Sequence, residues 1–170
     1  MASEHPLWHF SLAVYRMPGV SDACLRLQDD AGADVNLLLY FCWLATVRDA
    51  ALDEAEIRRA VDATADWRDQ VVRPLRGVRR WLKDGAAGMP RDSVEGLRSD
   101  VKRVELESEQ LQQDLLFRLA GPGVRGAAGG ADARARAEEN VARYFKAIGV
   151  SAAAAIEADL RTIFAAAIPD

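Results

Sequence analysis

The sequence predicts an all-α protein, a bundle of six to seven helices that includes one long heptad-patterned helix and a C-terminal helical hairpin. Apolar residues recur at helical spacing along nearly the whole 170-residue chain. Half of the residues are hydrophobic, which is enough to build a core. One run, 35–47, is apolar enough for a buried strand, but no second run offers it a partner.

Turn and capping residues delimit the first three helices. Proline suits a first helical position, Ser or Asp can cap a helix N-terminus, and a Gly or a Pro-Gly pair ends a helix. These rules place helices at 6–17, 22–30 and 35–49. The third is apolar almost all round, which is typical of a helix at the centre of a bundle.

A fourth helix is expected to begin after Asp53, which can cap it. Glu54 and Glu56 then lie in the first turn, where the helix dipole favours acidic side chains. The apolar spacing continues to Pro74, which should kink or restart the helix because proline lacks an N–H donor. A fifth piece is expected at 75–83.

The longest helix is expected from residue 92 or 93 to about residue 120. Its apolar residues follow the 3,4,3,4 spacing of a heptad seam, with one polar interruption. Such a seam predicts close packing against another long helix, in this chain or in a second copy, so that a homodimer or a protein partner is possible. This 94–115 seam comprises Val94, Leu97, Val101, Val104, Ser108, Leu111 and Leu115.

A low-complexity segment divides the chain near its C-terminal end. Residues 121–130 read GPGVRGAAGG and predict a flexible linker. Two helices with apolar faces follow, at 131–148 and from Ser151 onward, and they should dock as a hairpin. We therefore expect a core bundle at 1–120, the linker, and a C-terminal hairpin at 131–170.

Charge and composition exclude several classes of protein. The net charge of -4 argues against a generally basic nucleic-acid coat protein. The longest apolar run is too short to span a bilayer, and the N-terminus lacks the pattern of a signal peptide. Cys24 and Cys42 form no CxxC pair and lie in apolar runs, as buried reduced thiols do. We therefore expect a cytoplasmic protein that does not bind membranes.

Two short motifs are weak signals for a cofactor or a metal. A literal GxGxxG begins at Gly121, but it follows no predicted strand, so the phosphate-cradling geometry is not expected. His5 and His9 have the i,i+4 spacing of a helical metal pair. No third ligand completes that set, and Pro6 favours a capping or surface position for His5. We expect neither a cofactor nor a metal.

The first candidate site is a polar bend between the second and third helices. Bunched carboxylates can hold Mg²⁺ together with waters and phosphates, and Asp30 and Asp34 have the spacing of the aspartate motifs of isoprenoid synthases. Gly32 argues against a continuous helix there, and those enzymes are much longer. The plainer interpretation is that one Asp ends a helix while Asp34 caps the next; a polar recognition or interhelical network is a third. The polar bend comprises Gln28, Asp29, Asp30, Asp34 and Asn36.

The second candidate site is a basic stripe flanked by Trp67 and Trp81. Residues 73–83 contain five basic side chains and no acid, and four of the five share one helical face at 3,4,3 spacing. This stripe could bind phosphate, an RNA backbone or an acidic partner. The plainer interpretation is ion pairing with the polar bend or with Glu105, Glu107 and Glu109. The basic stripe comprises Arg68, Arg73, Arg76, Arg79, Arg80 and Lys83.

Three segments carry a resemblance to a known family. The runs WHFSL at 8–12, CLRLQDDAGADVNLLL at 24–39 and WRDQVVRPLRGVRR at 67–80 resemble a family of uncharacterised proteobacterial proteins, a domain of unknown function. The resemblance covers about 8–83 and implies no activity. It implies that the first candidates for a site are Gln28, Asp29, Asp34, Asn36, Trp67, Arg68, Arg73, Arg76, Arg79 and Arg80.

Two functional hypotheses follow, and the sequence does not decide whether the protein is an enzyme. In the first, a non-catalytic binding or regulatory protein recognises an acidic or phosphorylated partner where the polar bend meets the basic stripe. In the second, a Mg²⁺-dependent enzyme acts on a diphosphate-type substrate. Nucleic acid is a weaker possibility, because such readers add exposed aromatics and Trp67 and Trp81 are expected in the core. The second hypothesis places Asp29, Asp30 and Asp34 on the metal and Arg73, Arg76 and Arg80 on phosphate.

Overall fold

Eight α-helices make up most of the residues that the computed structural model describes, which are 5–85, 88–121, 132–151 and 154–168. A π-helical turn joins the fourth and fifth helices into one continuous rod. This arrangement confirms the predicted all-α bundle. No described helix is long and apolar enough to cross a membrane. The helices are α1 (Pro6–Tyr15), α2 (Val20–Asp30), α3 (Val35–Val47), α4 (Glu54–Trp67), α5 (Arg73–Trp81), α6 (Arg91–Ala120), α7 (Ala133–Ala147) and α8 (Ala154–Ala167).

α3 occupies the centre of the bundle, as its apolar pattern predicts. Every residue from 36 to 45 is buried, and α1, α6, α7 and α8 pack around the helix. Trp43, Phe41 and Leu37 are at most 1% exposed. Burial of side chains of this size stabilises a fold by about 1.5–3 kcal/mol each. Soon after α3 ends, Asp49 adopts a left-handed φ of 52°, which turns the chain away from a helical path.

The predicted cap of α4 is present in full. The Asp53 carboxylate accepts a hydrogen bond from the Glu56 N–H at 2.8 Å. In return the Glu56 carboxylate accepts one from the Asp53 N–H at 2.9 Å. This reciprocal capping box satisfies two N–H groups that the helix itself cannot.

The π-helical turn (Arg68–Val72) lies immediately before Pro74. Proline cannot donate a hydrogen bond to the carbonyl four residues back, and its ring crowds that carbonyl. The wider turn accommodates the ring, since the Arg73 N–H donates to the Arg68 carbonyl five residues back. The predicted kink or restart at Pro74 is therefore a wider turn within a continuous rod.

α7 and α8 pack onto different parts of the bundle. α7 packs mainly on α3 and α4, whereas α8 packs mainly on α2 and also contacts α1 and α3. Asn140 of α7 accepts a hydrogen bond from the Leu52 N–H at 2.8 Å and donates to the Ala50 carbonyl at 3.0 Å. Arg26 of α2 pairs with Asp159 of α8 at 2.6 Å. Both helices are therefore held by polar contacts as well as apolar ones.

The expected linker at 121–130 lies, apart from Gly121, outside the described residues. The division of the chain into 1–120, 121–130 and 131–170 therefore stays a prediction.

Most of the 94–115 seam is not buried within the described part of the chain. Val94 and Ser108 are its only fully buried members, whereas its remaining large side chains are partly or largely exposed. α6 instead packs through a polar face that the heptad pattern does not mark. Packing of the seam against a second copy stays a prediction. The most exposed seam residues are Leu97, Val104, Leu111 and Leu115, and the buried polar face comprises Glu105, Ser108, Gln112, Gln113 and Asp114.

Candidate functional site

A cavity of about 430 Å³ lies between α1, α2, the start of α3, the π-helical turn with α5, and α6. Part of the polar bend and part of the basic stripe line this cavity together. Its mouth is partly open to solvent, since Leu25 and Leu106 of its lining are 41% and 51% exposed. The lining includes Gln28, Asp34 and Asn36 of the polar bend and Arg68, Arg73, Arg76 and Arg79 of the basic stripe.

Asp34 caps α3, as one interpretation of the polar bend predicts. One of its carboxylate oxygens accepts a hydrogen bond from the Asn36 N–H at 2.9 Å. The other accepts from Gln112 Nε2 at 2.6 Å. The Asp34 N–H donates to the Tyr144 hydroxyl at 2.7 Å. The bend is thus fixed to α6 and α7, and the Asp34 carboxylate is already satisfied on both oxygens.

The amides next to Asp34 continue this network along α6. Asn36 Nδ2 donates to Gln112 Oε1 at 3.1 Å, and Gln113 Nε2 donates to Asn36 Oδ1 at 2.8 Å. All three amide side chains are buried. The interhelical network that was one interpretation of the bend is therefore present, with α6 as its partner.

The outer members of both candidate sites lie away from the cavity lining. Asp29 pairs with Arg80 at 2.6 Å, and both side chains are more than 40% exposed. Asp30 and Lys83 are exposed as well. The three aspartates proposed for Mg²⁺ therefore do not converge. In the described residues no group of three His, Cys, Asp or Glu side chains is placed to hold a metal ion.

The arginines of the cavity wall are paired with carboxylates. Arg76 contacts Glu105 at 3.1 Å and Glu109 at 2.7 Å, and Arg79 also pairs with Glu105. The plainer interpretation of the basic stripe, ion pairing with α6, is confirmed for these two acids. Glu107 instead lies 3.9 Å from Arg103 on the outer side of α6.

Asp69 in the π-helical turn holds the other two arginines of the wall. It contacts Arg68 at 2.9 Å and Arg73 at 2.8 Å. The hydrogen bond from Arg68 lowers the pKa of the Asp69 carboxyl and raises that of the guanidinium. Four guanidinium groups thus share three carboxylates, which leaves one formal positive charge in excess.

Burial opposes the ionisation of the Glu109 carboxyl. Burial raises its pKa above the ordinary value of 4.5, although Arg76 opposes the shift. The neighbouring charge of Glu105 adds to the increase. Desolvation thus penalises the ionised form of the Glu109 carboxylate.

The apolar part of the cavity lining comes mainly from α1 and α2. Trp8, Leu12 and Tyr15 of α1 and Leu25 of α2 belong to it. Cys24 also belongs to this part of the lining, and burial raises the pKa of its thiol to about 12. A thiol with so high a pKa is a poor nucleophile near neutral pH.

The two tryptophans that flank the basic stripe differ in exposure. Trp67 is half-buried, and its Nε1 donates to the Ser108 carbonyl at 2.9 Å. Trp81 is 66% exposed, so that the expectation of a core position is wrong for this residue. It is the last residue of α5.

Sequence reasoning missed the contributions of α1 and α6 to the cavity. The available signal on α6 is a second set of polar residues at helical spacing: Glu105, Glu109, Gln112 and Gln113. Such a set is normally a solvated face, and only the basic stripe opposite it indicates otherwise. On α1 the WHFSL segment was singled out only through the family resemblance, although it supplies Trp8, Ser11 and Leu12 to the lining.

The family comparison covers most of the elements that build this cavity. Residues 6–116 match the model of a family described as a protein of unknown function, DUF2390. This match includes α1, the polar bend, the basic stripe and the polar face of α6. No curated protein and no solved structure is found to be similar to the chain. Because the family model matches well over half of its length, the chain belongs to the DUF2390 family of proteins of unknown function.

Proposed function

We propose that this protein is a non-catalytic binding or regulatory protein that recognises an acidic or phosphorylated partner through the basic stripe beside the polar bend. One observation carries the proposal: four arginines of the stripe and three side chains of the bend line the same partly open cavity. The two groups of residues lie far apart in the sequence, so it is the fold that brings them together. Anionic groups are the ligands that such a wall of guanidinium groups favours.

The arginines of the wall are ordered before any partner arrives. The side chains of Arg76 and Arg79 are 17% and 23% exposed, and Glu105 holds both. An anion that binds to them does not have to immobilise long flexible side chains, which lowers the entropic cost of binding. Partial burial also strengthens each charge interaction relative to the same pair in water.

Two features favour binding over catalysis. Two of the three aspartates of the polar bend are engaged elsewhere, Asp34 as a helix cap and Asp29 with Arg80. The one thiol of the wall, Cys24, is held in its protonated form by burial. The Mg²⁺-diphosphate hypothesis therefore gains no support from the arrangement of these side chains.

The proposal is tested by titrating the full-length protein with inorganic phosphate and with an acidic phosphoserine peptide in a calorimeter. Both should bind, and Arg73→Ala should weaken binding about tenfold, since a charge-assisted hydrogen bond contributes about 1.5–3 kcal/mol and Arg73 is half exposed. Arg73 is the suitable choice because Asp69 keeps Arg68 as a partner when Arg73 is removed.

Arg103→Ala is the matched control. Arg103 lies on α6 with 68% of its side chain exposed, it makes only long ion pairs, and it does not line the cavity. Binding that is unaffected by Arg103→Ala and weakened by Arg73→Ala supports the proposal. Absence of heat with either probe at millimolar concentration, or equal losses in the two variants, overturns it.

A further inference from the structure

Two residues of the cavity lining each carry a buried polar atom that has no hydrogen-bond partner among the described residues. The atoms are Ser11 Oγ and Gln113 Oε1. Ser11 is 4% exposed and Gln113 is 2% exposed, and both side chains line the cavity. Buried polar atoms are nearly always paired, so each unpaired one requires an explanation. Their position on one cavity suggests a shared explanation, a ligand that pairs with both.

The orientation of Gln113 is fixed from Asp34 through a chain of amides. The Asp34 carboxylate can only accept, so Gln112 must direct its NH₂ group towards it. Gln112 then presents its oxygen to the Asn36 NH₂ group. Asn36 in turn presents its oxygen to the Gln113 NH₂ group. Gln113 is therefore left with a carbonyl oxygen, which pairs only with a hydrogen-bond donor.

The Gln113 oxygen lies close along α6 to the residues that pair with the arginines of the cavity wall. Glu109, which pairs with Arg76, precedes Gln113 by four residues. Four residues of an α-helix rise about 6 Å, so that both side chains lie on the same face one turn apart. A ligand whose anionic group reaches Arg76 needs its donor only a few bonds away to reach Gln113.

The remaining residues of the lining and the volume of the cavity indicate the size of the ligand and its apolar part. Trp8, Leu12, Tyr15 and Leu25 offer an apolar surface. A volume of about 430 Å³ is that of a small-molecule site. A hydroxyl group is the simplest complement to the unpaired atoms, because it can donate to Gln113 Oε1 and accept from the Ser11 hydroxyl.

From these observations we infer that the cavity binds a small amphipathic anion with a hydroxyl group a few bonds from its acid group and a short aliphatic tail. The anion lies on the arginine wall, the hydroxyl between Ser11 and Gln113, and the tail against α1 and α2. This inference rests on the proposed function, since it uses the same arginines. It adds the class of ligand and two residues that select it.

Three probes that differ by one group each test the inference by calorimetry on the full-length protein. They are 3-hydroxyoctanoate, octanoate, which lacks the hydroxyl, and methyl 3-hydroxyoctanoate, which lacks the charge. We expect 3-hydroxyoctanoate to bind at least fivefold more tightly than octanoate. The methyl ester should bind at least tenfold more weakly than the free acid.

Ser11→Ala is the decisive variant. The Ser11 hydroxyl has no partner in the described fold, so its removal should leave the urea midpoint unchanged or raise it. The same change should reduce the preference for the hydroxylated acid to less than twofold. A residue with a merely structural role would show the opposite pattern, a lowered midpoint and an unchanged preference. Gln110→Met, on α6 but outside the cavity lining, is the control for a second variant, Gln113→Met.

The outcomes separate this inference from the proposed function. If octanoate and 3-hydroxyoctanoate bind equally and Arg73→Ala weakens both, the arginine wall binds anions and the selection by hydroxyl is wrong. If phosphate binds and neither acid does, the ligand class is wrong. If no anion binds, both proposals fail.

Discussion

At the scale of single residues, His5 serves as a helix cap and lies beside a buried carboxylate. Its Nδ1 accepts a hydrogen bond from the Trp8 N–H at 3.2 Å, which requires that Nδ1 carries no proton. The ring proton then resides on Nε2, 3.0 Å from the Asp114 carboxylate. Burial lowers the pKa of His5 from its ordinary value of 6.5, although Asp114 opposes the shift. The folded protein therefore favours neutral His5.

The lowered pKa of His5 predicts that the stability of the protein depends on pH. Because the pKa of His5 is lower in the folded state, its contribution is present above about pH 6.5 and is lost as the pH falls through the folded-state pKa. The urea midpoint should therefore decrease between pH 7.5 and pH 5.5. His5→Asn keeps a capping side chain but cannot titrate, so its midpoint should decrease less. Parallel decreases in the two proteins would contradict this assignment.

The same scale shows which residues of the site could be predicted. The cap by Asp34 depends on a backbone N–H two residues away, so the local sequence was sufficient. Gln113 meets Asn36 from 77 residues away. The sequence around either residue does not predict that contact, because a glutamine on a long helix is most often exposed to solvent. The unpaired Ser11 and Gln113 atoms exist only once five segments have been brought together.

At the scale of elements, α6 presents its heptad seam to solvent and its polar face to the bundle. The apolar spacing was read correctly as a helix but gave the wrong buried face within this chain. The inward face of α6 instead meets α5, where Arg76 pairs with Glu105 and Glu109. The leucines of the seam remain 38–54% exposed.

A pair of leucine substitutions on α6 tests this orientation. Leu116 is fully buried, so Leu116→Ala should lower the free energy of unfolding by about 2–5 kcal/mol. Leu111 is 40% exposed, so Leu111→Ala should lower it by less than about 1 kcal/mol. Urea denaturation of both variants measures the difference. Equal losses would mean that the seam is buried.

Light scattering of the same variants tests the second-copy interface. A dimer held through the 94–115 seam should dissociate at higher protein concentration in Leu111→Ala than in the unmodified protein. Leu116 does not belong to the seam, so Leu116→Ala should leave that concentration unchanged as long as the protein remains folded.

At the scale of the whole molecule, the core extends beyond the family match. The match ends at residue 116, yet α7 contributes Tyr144 and Phe145 to the same core as α3. Tyr144 also accepts a hydrogen bond from the Asp34 N–H at the edge of the cavity, and Asn140 pairs with the chain after α3. These contacts predict that a bundle at 1–120 needs α7 for its stability, whereas the sequence predicts an appended hairpin.

Truncation decides between these two descriptions. A chain that ends at Gly121 would expose the α7-facing side of α3 and leave the Asp34 and Leu52 N–H groups without their partners. Exposing apolar surface costs about 25 cal/mol per Å², and typical domains are stable by only about 5–15 kcal/mol. We therefore expect this chain to lose its cooperative urea transition and its near-UV circular dichroism. A chain that ends at Ser151 keeps α7 and loses only α8, so it should retain both with a lowered midpoint. Full cooperativity in the shorter chain would instead show that 1–120 folds alone.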